Sequence, residues 1–319
     1  MTDVISITLP IFLLVALGFG AVRFNVVDDG FIRGLGFFVL NFALPALVLH
    51  ALVGQDFRQT FDPNFVLAYG GGSIVVMLAM LGSFRFLLRR DGAHAAIAAL
   101  GGVASNSGFV GFPVASLAVG APALAALPMA MLVENVLVIP LALGLAEAAR
   151  HAGKGWPVLV REAAVRLIRM PLVIAILAGI ALSLLGVRMP AFLATTVDMM
   201  SNASAACALF TVGGTLAMLR PSHSTAGDVA VIVACKLLLH PLAVAAGFWL
   251  LGGVPAPLMA AGLILAASPM LTVYPIFGQR FGLGPLASVA LLAATAASFV
   301  TLTLMLGFFL VGVDGVMPR

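Results

Sequence analysis

Ser105, Asn106 and Ser107 open the stretch SNSGFVGFP (105 to 113), which is bounded on both sides by strongly apolar sequence. Hydroxyl and amide groups beside Gly108 and Pro113 form a combination that can bind an anion. Proline has no N–H and clashes with the preceding turn, so a helix carrying Pro113 frees backbone carbonyls that lipid cannot satisfy. Proline also suits the first turn of a helix, and a half-helix restarting there turns unpaired N–H groups and a positive dipole end toward the break. Asn106 and its serines then supply the remaining donors for a carboxylate. A second stretch, ASPMLTVYP, repeats the pattern: a shift of 162 positions lays Pro275 on Pro113, Tyr274 on Phe112 and Ser268 on Asn106, with Thr272 between them. The competing reading is a pair of ordinary proline kinks packed through Gly101, Gly102, Gly108 and Gly111.

Other polar groups lie in equally apolar surroundings, where an ionisable side chain costs about 2.5 to 3.5 kcal/mol on insertion scales. Glu134 is the deepest carboxyl and, with Asn135 beside it, is a candidate proton or sodium ligand; the alternative is a structural carboxyl bonded to a neighbouring helix. Lys236 and His240 are further ion-coupling candidates; Lys236 lies roughly 10 Å inside its helix end, where the alternative is that its stem snorkels outward. His240 is one turn deeper on the same face, beside Pro241, and is expected to be neutral and hydrogen-bonded. Asp198 and Asn202, four apart on one helical face, are ion-coupling candidates that compete with simple solvation near the outer interface. Asn41 and Pro45 share a face that either lines a cavity or satisfies a kink, while His50 reads as interfacial.

These residues need elements that hold them at depth. Of the 319 residues, 62% are hydrophobic and 9% charged, and the mean hydropathy is +1.19, which excludes a water-soluble protein. The expected fold class is all-α integral membrane with ten transmembrane helices: Ile5 to Val22, Gly34 to Val53, Phe65 to Leu88, Ala95 to Gly120, Leu124 to Ala149, Pro171 to Val187, Ala191 to Leu219, Val229 to Leu251, Leu258 to Phe281 and Leu286 to Val311. The first reads as a retained span rather than a signal peptide, because it follows Asp3 and ends without a small-residue cleavage site. Both polar stretches fall in the fourth span of their half, and Asn106 lies roughly 16 Å in, near the midplane.

Alternating the loops puts Arg23, Arg33, Arg85, Arg89, Arg90, Arg150, Lys154, Arg161, Arg166, Arg169, Arg220 and Arg280 on one side of the membrane. Only Arg58, Arg188 and Arg319 fall on the other. The positive-inside rule makes the first side cytoplasmic and both termini external, in a plasma (inner) membrane. Residues 150–170 form a cytoplasmic linker, either an amphipathic surface helix or a solvated loop, between a first repeat at 1–149 and a second at 171–319. An odd number of spans per half makes the repeats inverted. Cys207 and Cys235 lie in apolar stretches without metal-type spacing.

NFALPALV (41 to 48), SNSGFVGFPV (105 to 114) and SPMLTVYPIFGQRFG (268 to 282), in that order, resemble the auxin efflux carrier family over essentially the whole chain. That family includes plant auxin exporters and bacterial permeases, some associated with malonate or malate. The resemblance implies broken, crossing helices 4 and 9, a scaffold of spans 1, 2, 6 and 7, a moving transport domain of spans 3–5 and 8–10, and a homodimer. The long hydrophilic central loop of many plant members is absent, so auxin is not carried over as substrate.

The expected function is secondary transport of a small organic anion by alternating access at a midplane site, with H+ or Na+ as possible coupling ion. An anion channel or membrane receptor is the alternative. An intramembrane hydrolase would need a nucleophile joined to a base, and nothing in the sequence brings Ser107 to His240. No nucleotide-binding loop, cofactor or nucleic-acid partner is expected.

Overall fold

The structure, a computed structural model, describes residues 2–53, 61–150, 169–187, 189–219 and 226–312, except the side chains of 2–8 and 309–312. Most of the central linker lies outside the described residues. In chain order the helices are α1 (Thr2–Arg23), α2 (Asp29–Val53), α3 (Pro63–Leu87), α4 (Gly92–Val103), α5 (Ser107–Val119) and α6 (Ala121–Arg150). After the linker come α7 (Pro171–Leu184), α8 (Ala191–Met218), α9 (Ala226–Leu251), α10 (Ala256–Ala267), α11 (Tyr274–Arg280) and α12 (Gly284–Gly312). Among the described residues five helices, α2, α3, α6, α9 and α12, contain stretches long and apolar enough to cross a membrane. Helix α8 has 28 residues but is more polar, because Thr195, Thr196, Asp198, Ser201 and Asn202 fall in it. The fold is all-helical among the described residues, with one isolated antiparallel bridge.

The helices pack in two sets. Helices α1 and α8 run along each other, as do α7 and α2, and α8 also lies on α2. In the second set α9 packs on α3, α6 on α4, α12 on α11, and α10 on both α5 and α6. The α3 to α9 contact is a backbone approach: a Cβ on Gly72 would sit 2.8 Å from the Val244 nitrogen, and one on Gly247 would sit 2.7 Å from the Ala68 oxygen. Only glycine permits that spacing, and it brings Tyr69 and Ser73 of α3 against Lys236 and His240 of α9.

Among the described residues five helices contain a widened π turn, and in four of them the turn is followed two residues later by proline. Val39–Ala43 precedes Pro45, Ser107–Gly111 precedes Pro113, Val133–Val138 precedes Pro140, and Cys235–Leu239 precedes Pro241. Proline cannot bond the carbonyl four residues back and its ring clashes with it, and in these four helices the preceding turn accommodates this with an i→i+5 bond; Pro10 and Pro128 lie inside helices with no such turn before them. The residue before each proline closes that wider ring, Leu44 N–H to Val39 O, Phe112 to Ser107, Ile139 to Glu134 and His240 to Cys235. Asn41, Ser107, Glu134, Asn135 and Lys236 all lie in these turns. A fifth π turn, Ser83–Leu87, has no proline after it.

Candidate functional site

Residues 104–106 between α4 and α5 are not helical, nor is the stretch from Ser268 to Val273 between α10 and α11. The two interruptions meet. Ser105 pairs with Met270 in the antiparallel bridge, and Asn106 N–H donates to the Pro269 carbonyl at 2.7 Å. Asn106 Nδ2 donates to Thr272 Oγ1 at 2.8 Å, so the two sequence motifs are tied through both backbone and side chain.

A buried polar network surrounds this junction. Glu134, 2% exposed, accepts at Oε1 from Ser107 Oγ at 2.6 Å and from the Tyr69 hydroxyl at 2.9 Å. The Tyr69 hydroxyl is 3.5 Å from Ser105 Oγ. Lys236, fully buried, places Nζ 2.7 Å from Ser105 Oγ, 2.6 Å from the Ala266 carbonyl and 3.1 Å from His240 Nδ1. His240 Nε2 is 2.9 Å from Ser73 Oγ, which donates to the Tyr69 carbonyl at 2.8 Å. The alternative in which Lys236 snorkels outward is therefore corrected: its ammonium turns inward, onto three acceptors at the junction.

A cavity of about 1080 Å³ opens against one side of the junction. Asn41, Ser105, Asn106, Ser107, Gly108, Glu134, Asn135, Thr272 and Pro275 line it, with Thr211 of α8 opposite. Its wall continues to Arg33, Glu147, Met170 and Arg280, at the ends of α2, α6 and α11 and beside the start of α7. Asn41 and Asn135 each donate one amide hydrogen to the carbonyl four residues back, Phe37 and Met131.

Other expected site residues lie elsewhere. Lys236 and His240 adjoin the junction but do not line the cavity. Pro113 is a buried residue of α5 away from the cavity wall; Ser268 Oγ is spent on the Leu265 carbonyl, and the Tyr274 hydroxyl on that of Ile97. Asp198 and Asn202 are on an exposed face of α8, with Asp198 3.9 Å from His50 Nδ1. Among the described residues no three His, Cys, Asp or Glu side chains form a metal-ligand group. Sequence reasoning missed Tyr69 and Ser73. The signal was available: one of only two tyrosines lies in an apolar helix one turn from a serine.

An apolar helical bundle with a polar junction opening to a large cavity is the architecture of a multi-pass membrane transporter. A family model described as "Membrane transport protein" matches residues 3–153 and again 156–306, and the chain belongs to this family, the auxin efflux carrier family whose motifs it carries. It is 29% identical over 304 residues to the "Putative malonate transporter" of Rhizobium meliloti (strain 1021), covering 95% of each chain. It is also 29% identical over 252 residues to the "Uncharacterized transporter YfdV" of Escherichia coli (strain K12), covering 76% of this chain and 77% of the relative.

Proposed function

We propose that the protein is a secondary transporter of a small carboxylate anion, working by alternating access at the junction of two interrupted helices. In this reading the chain makes ten spans in two inverted repeats, 1–149 and 171–319, joined by the linker at 150–170. Helices α4–α5 and α10–α11 are its broken spans 4 and 9. The set α1, α2, α7 and α8 is the scaffold, and the remaining helices form the moving domain. The observation that carries the reading is the Asn106 to Thr272 pair on the wall of a cavity that also reaches the start of α5. Unpaired N–H groups at that helix start, with the second amide hydrogen of Asn106, suit a carboxylate; the Ser107 hydroxyl is already given to Glu134. The match to a relative named for malonate supports a short mono- or dicarboxylate as substrate.

The cavity wall near Arg33, Glu147 and Arg280 belongs to the side rich in basic residues, so the conformation reads as open to the cytoplasm, with both termini outside. Glu134 lines the same cavity as Asn106, and a negative substrate there repels an ionised carboxyl. A proton taken up by Glu134 relieves that repulsion, so anion and proton move together.

The test is binding and uptake of malonate and related acids by purified protein. Asn106→Ala removes a hydrogen bond to a charged ligand worth about 1.5 to 3 kcal/mol, roughly tenfold or more in affinity. Ser116→Ala, whose hydroxyl bonds only the Pro113 carbonyl, should leave affinity unchanged. Equal affinities in both folded variants would count against the site, and non-saturable conductance would point to a channel.

A further inference from the structure

The hydrogen-bond pattern around Lys236 has a specific shape. Pro269 has no N–H, so the Leu265 carbonyl loses its helical partner and is taken instead by Ser268 Oγ at 2.6 Å. One residue further on, the Ala266 carbonyl in the last turn of α10 is bonded by Lys236 Nζ at 2.6 Å. Helix α4 also ends here, at Val103, so two helix C-termini direct their partial negative charge at the same point. Ser105 Oγ adds an oxygen at 2.7 Å and His240 Nδ1 a nitrogen lone pair at 3.1 Å. Those three acceptors match the three hydrogens of an ammonium. They require His240 to be neutral with its proton on Nε2, facing Ser73 Oγ, whose own hydrogen goes to the Tyr69 carbonyl. Glu134, the carboxyl of this network, is reached only through Tyr69 and Ser105. The lysine is therefore held by the ends of the interrupted helices rather than by a direct ion pair.

We propose that this is a monovalent-cation site, in which the Lys236 ammonium is the resident cation tethered to the protein. The site has the features that hold a free cation at a helix interruption: the Ala266 carbonyl in the last turn of a helix, a serine oxygen and converging helix C-termini. The tether removes the need for an ion from solution. The native protein is accordingly indifferent to sodium, and shortening the lysine to alanine opens a vacancy for a free monovalent cation.

The experiment compares wild type, Lys236→Ala and Lys236→Met, each purified in choline, sodium or methylammonium chloride at equal ionic strength. Thermal unfolding is read first, and homo-exchange of the transported acid in proteoliposomes second. Wild type should show the same melting temperature and exchange rate in all three salts. Lys236→Ala should melt lower in choline and exchange at least about tenfold more slowly, because the junction's acceptors lose their donor. Methylammonium, which reproduces the end of the lysine side chain, or sodium should raise both toward wild type. Lys236→Met fills the space without a charge and should respond to neither ion. The proposal is overturned if Lys236→Ala folds in none of the salts, if its stability ignores both ions, if Lys236→Met equals wild type, or if wild type itself gains stability from sodium. This inference concerns the same site as the transport reading, but the unfolding measurements need no substrate, so its failure is distinguishable from failure of the anion assignment.

Discussion

Replacing Glu134 by glutamine separates coupling from shape. The Ser107 and Tyr69 donors both address Oε1, at 2.6 and 2.9 Å, and a glutamine oxygen can accept both in the same place. The structural cost is at most the difference between charged and neutral hydrogen bonds, about 1 kcal/mol for each bond, and close to zero if the carboxyl is already protonated. What the substitution removes is the capacity to bind a proton. One pH unit across the membrane corresponds to about 1.4 kcal/mol, which sustains roughly tenfold accumulation when one proton accompanies each anion. Wild-type proteoliposomes with an acidic exterior should therefore concentrate the acid about tenfold per unit of gradient. Glu134→Gln should fall to no accumulation while homo-exchange at zero gradient continues. Sodium coupling predicts accumulation that depends on sodium at fixed pH in both proteins. A folded Glu134→Gln variant that still accumulates tenfold under a proton gradient would refute the reasoning, because no other carboxyl lines the cavity near the junction among the described residues.

Single cysteines at Gln59 and Met317, in a background lacking Cys207 and Cys235, should label from outside intact cells, and one at Gly153 only after permeabilisation; the opposite pattern would invert the assigned faces. Tyr69→Phe keeps the ring stacked on Phe65 but removes the donor to Glu134, and should cost about 0.5 to 3 kcal/mol in unfolding free energy, depending on whether Glu134 is ionised. A variant as stable as wild type would show that this bond contributes nothing to the fold. Gly247→Leu should destabilise by about 1 to 3 kcal/mol or more, since its Cβ would press on the Ala68 carbonyl, and an unchanged melting temperature would contradict the backbone contact between α3 and α9.

Composition and the recurrence of long apolar segments were enough to read a helical membrane protein, because the demand that buried backbone satisfy itself leaves few alternatives. The two proline-marked stretches were legible for a similar reason: polar residues beside Pro113 and Pro275 have no place in a plain lipid-facing helix. The direction of Lys236 was not legible. Its distance from the helix end allowed it to reach either water or the junction, and the choice is made by the Ala266 carbonyl and Ser105, distant in sequence. Tyr69 escaped for the same reason, since its partner Glu134 lies on another helix. Asp198 and Asn202 shared a helical face as spacing dictates, but which face looks inward depends on how α8 lies against α1 and α2.

A π turn holds one residue more than the α-helix would need to join the same two flanks. Each of the four proline-linked turns is therefore a one-residue insertion absorbed without a loop, and the extra residue rotates everything beyond it by about 100° relative to an unbroken helix. Three of these insertions fall before the linker, in α2, α5 and α6, and one after it, in α9. A relative that lacks Pro45, Pro113, Pro140 or Pro241 is expected to be one residue shorter at that turn, and deletion of a single residue there, together with replacement of the proline, should be tolerated where a deletion elsewhere in the same helix is not.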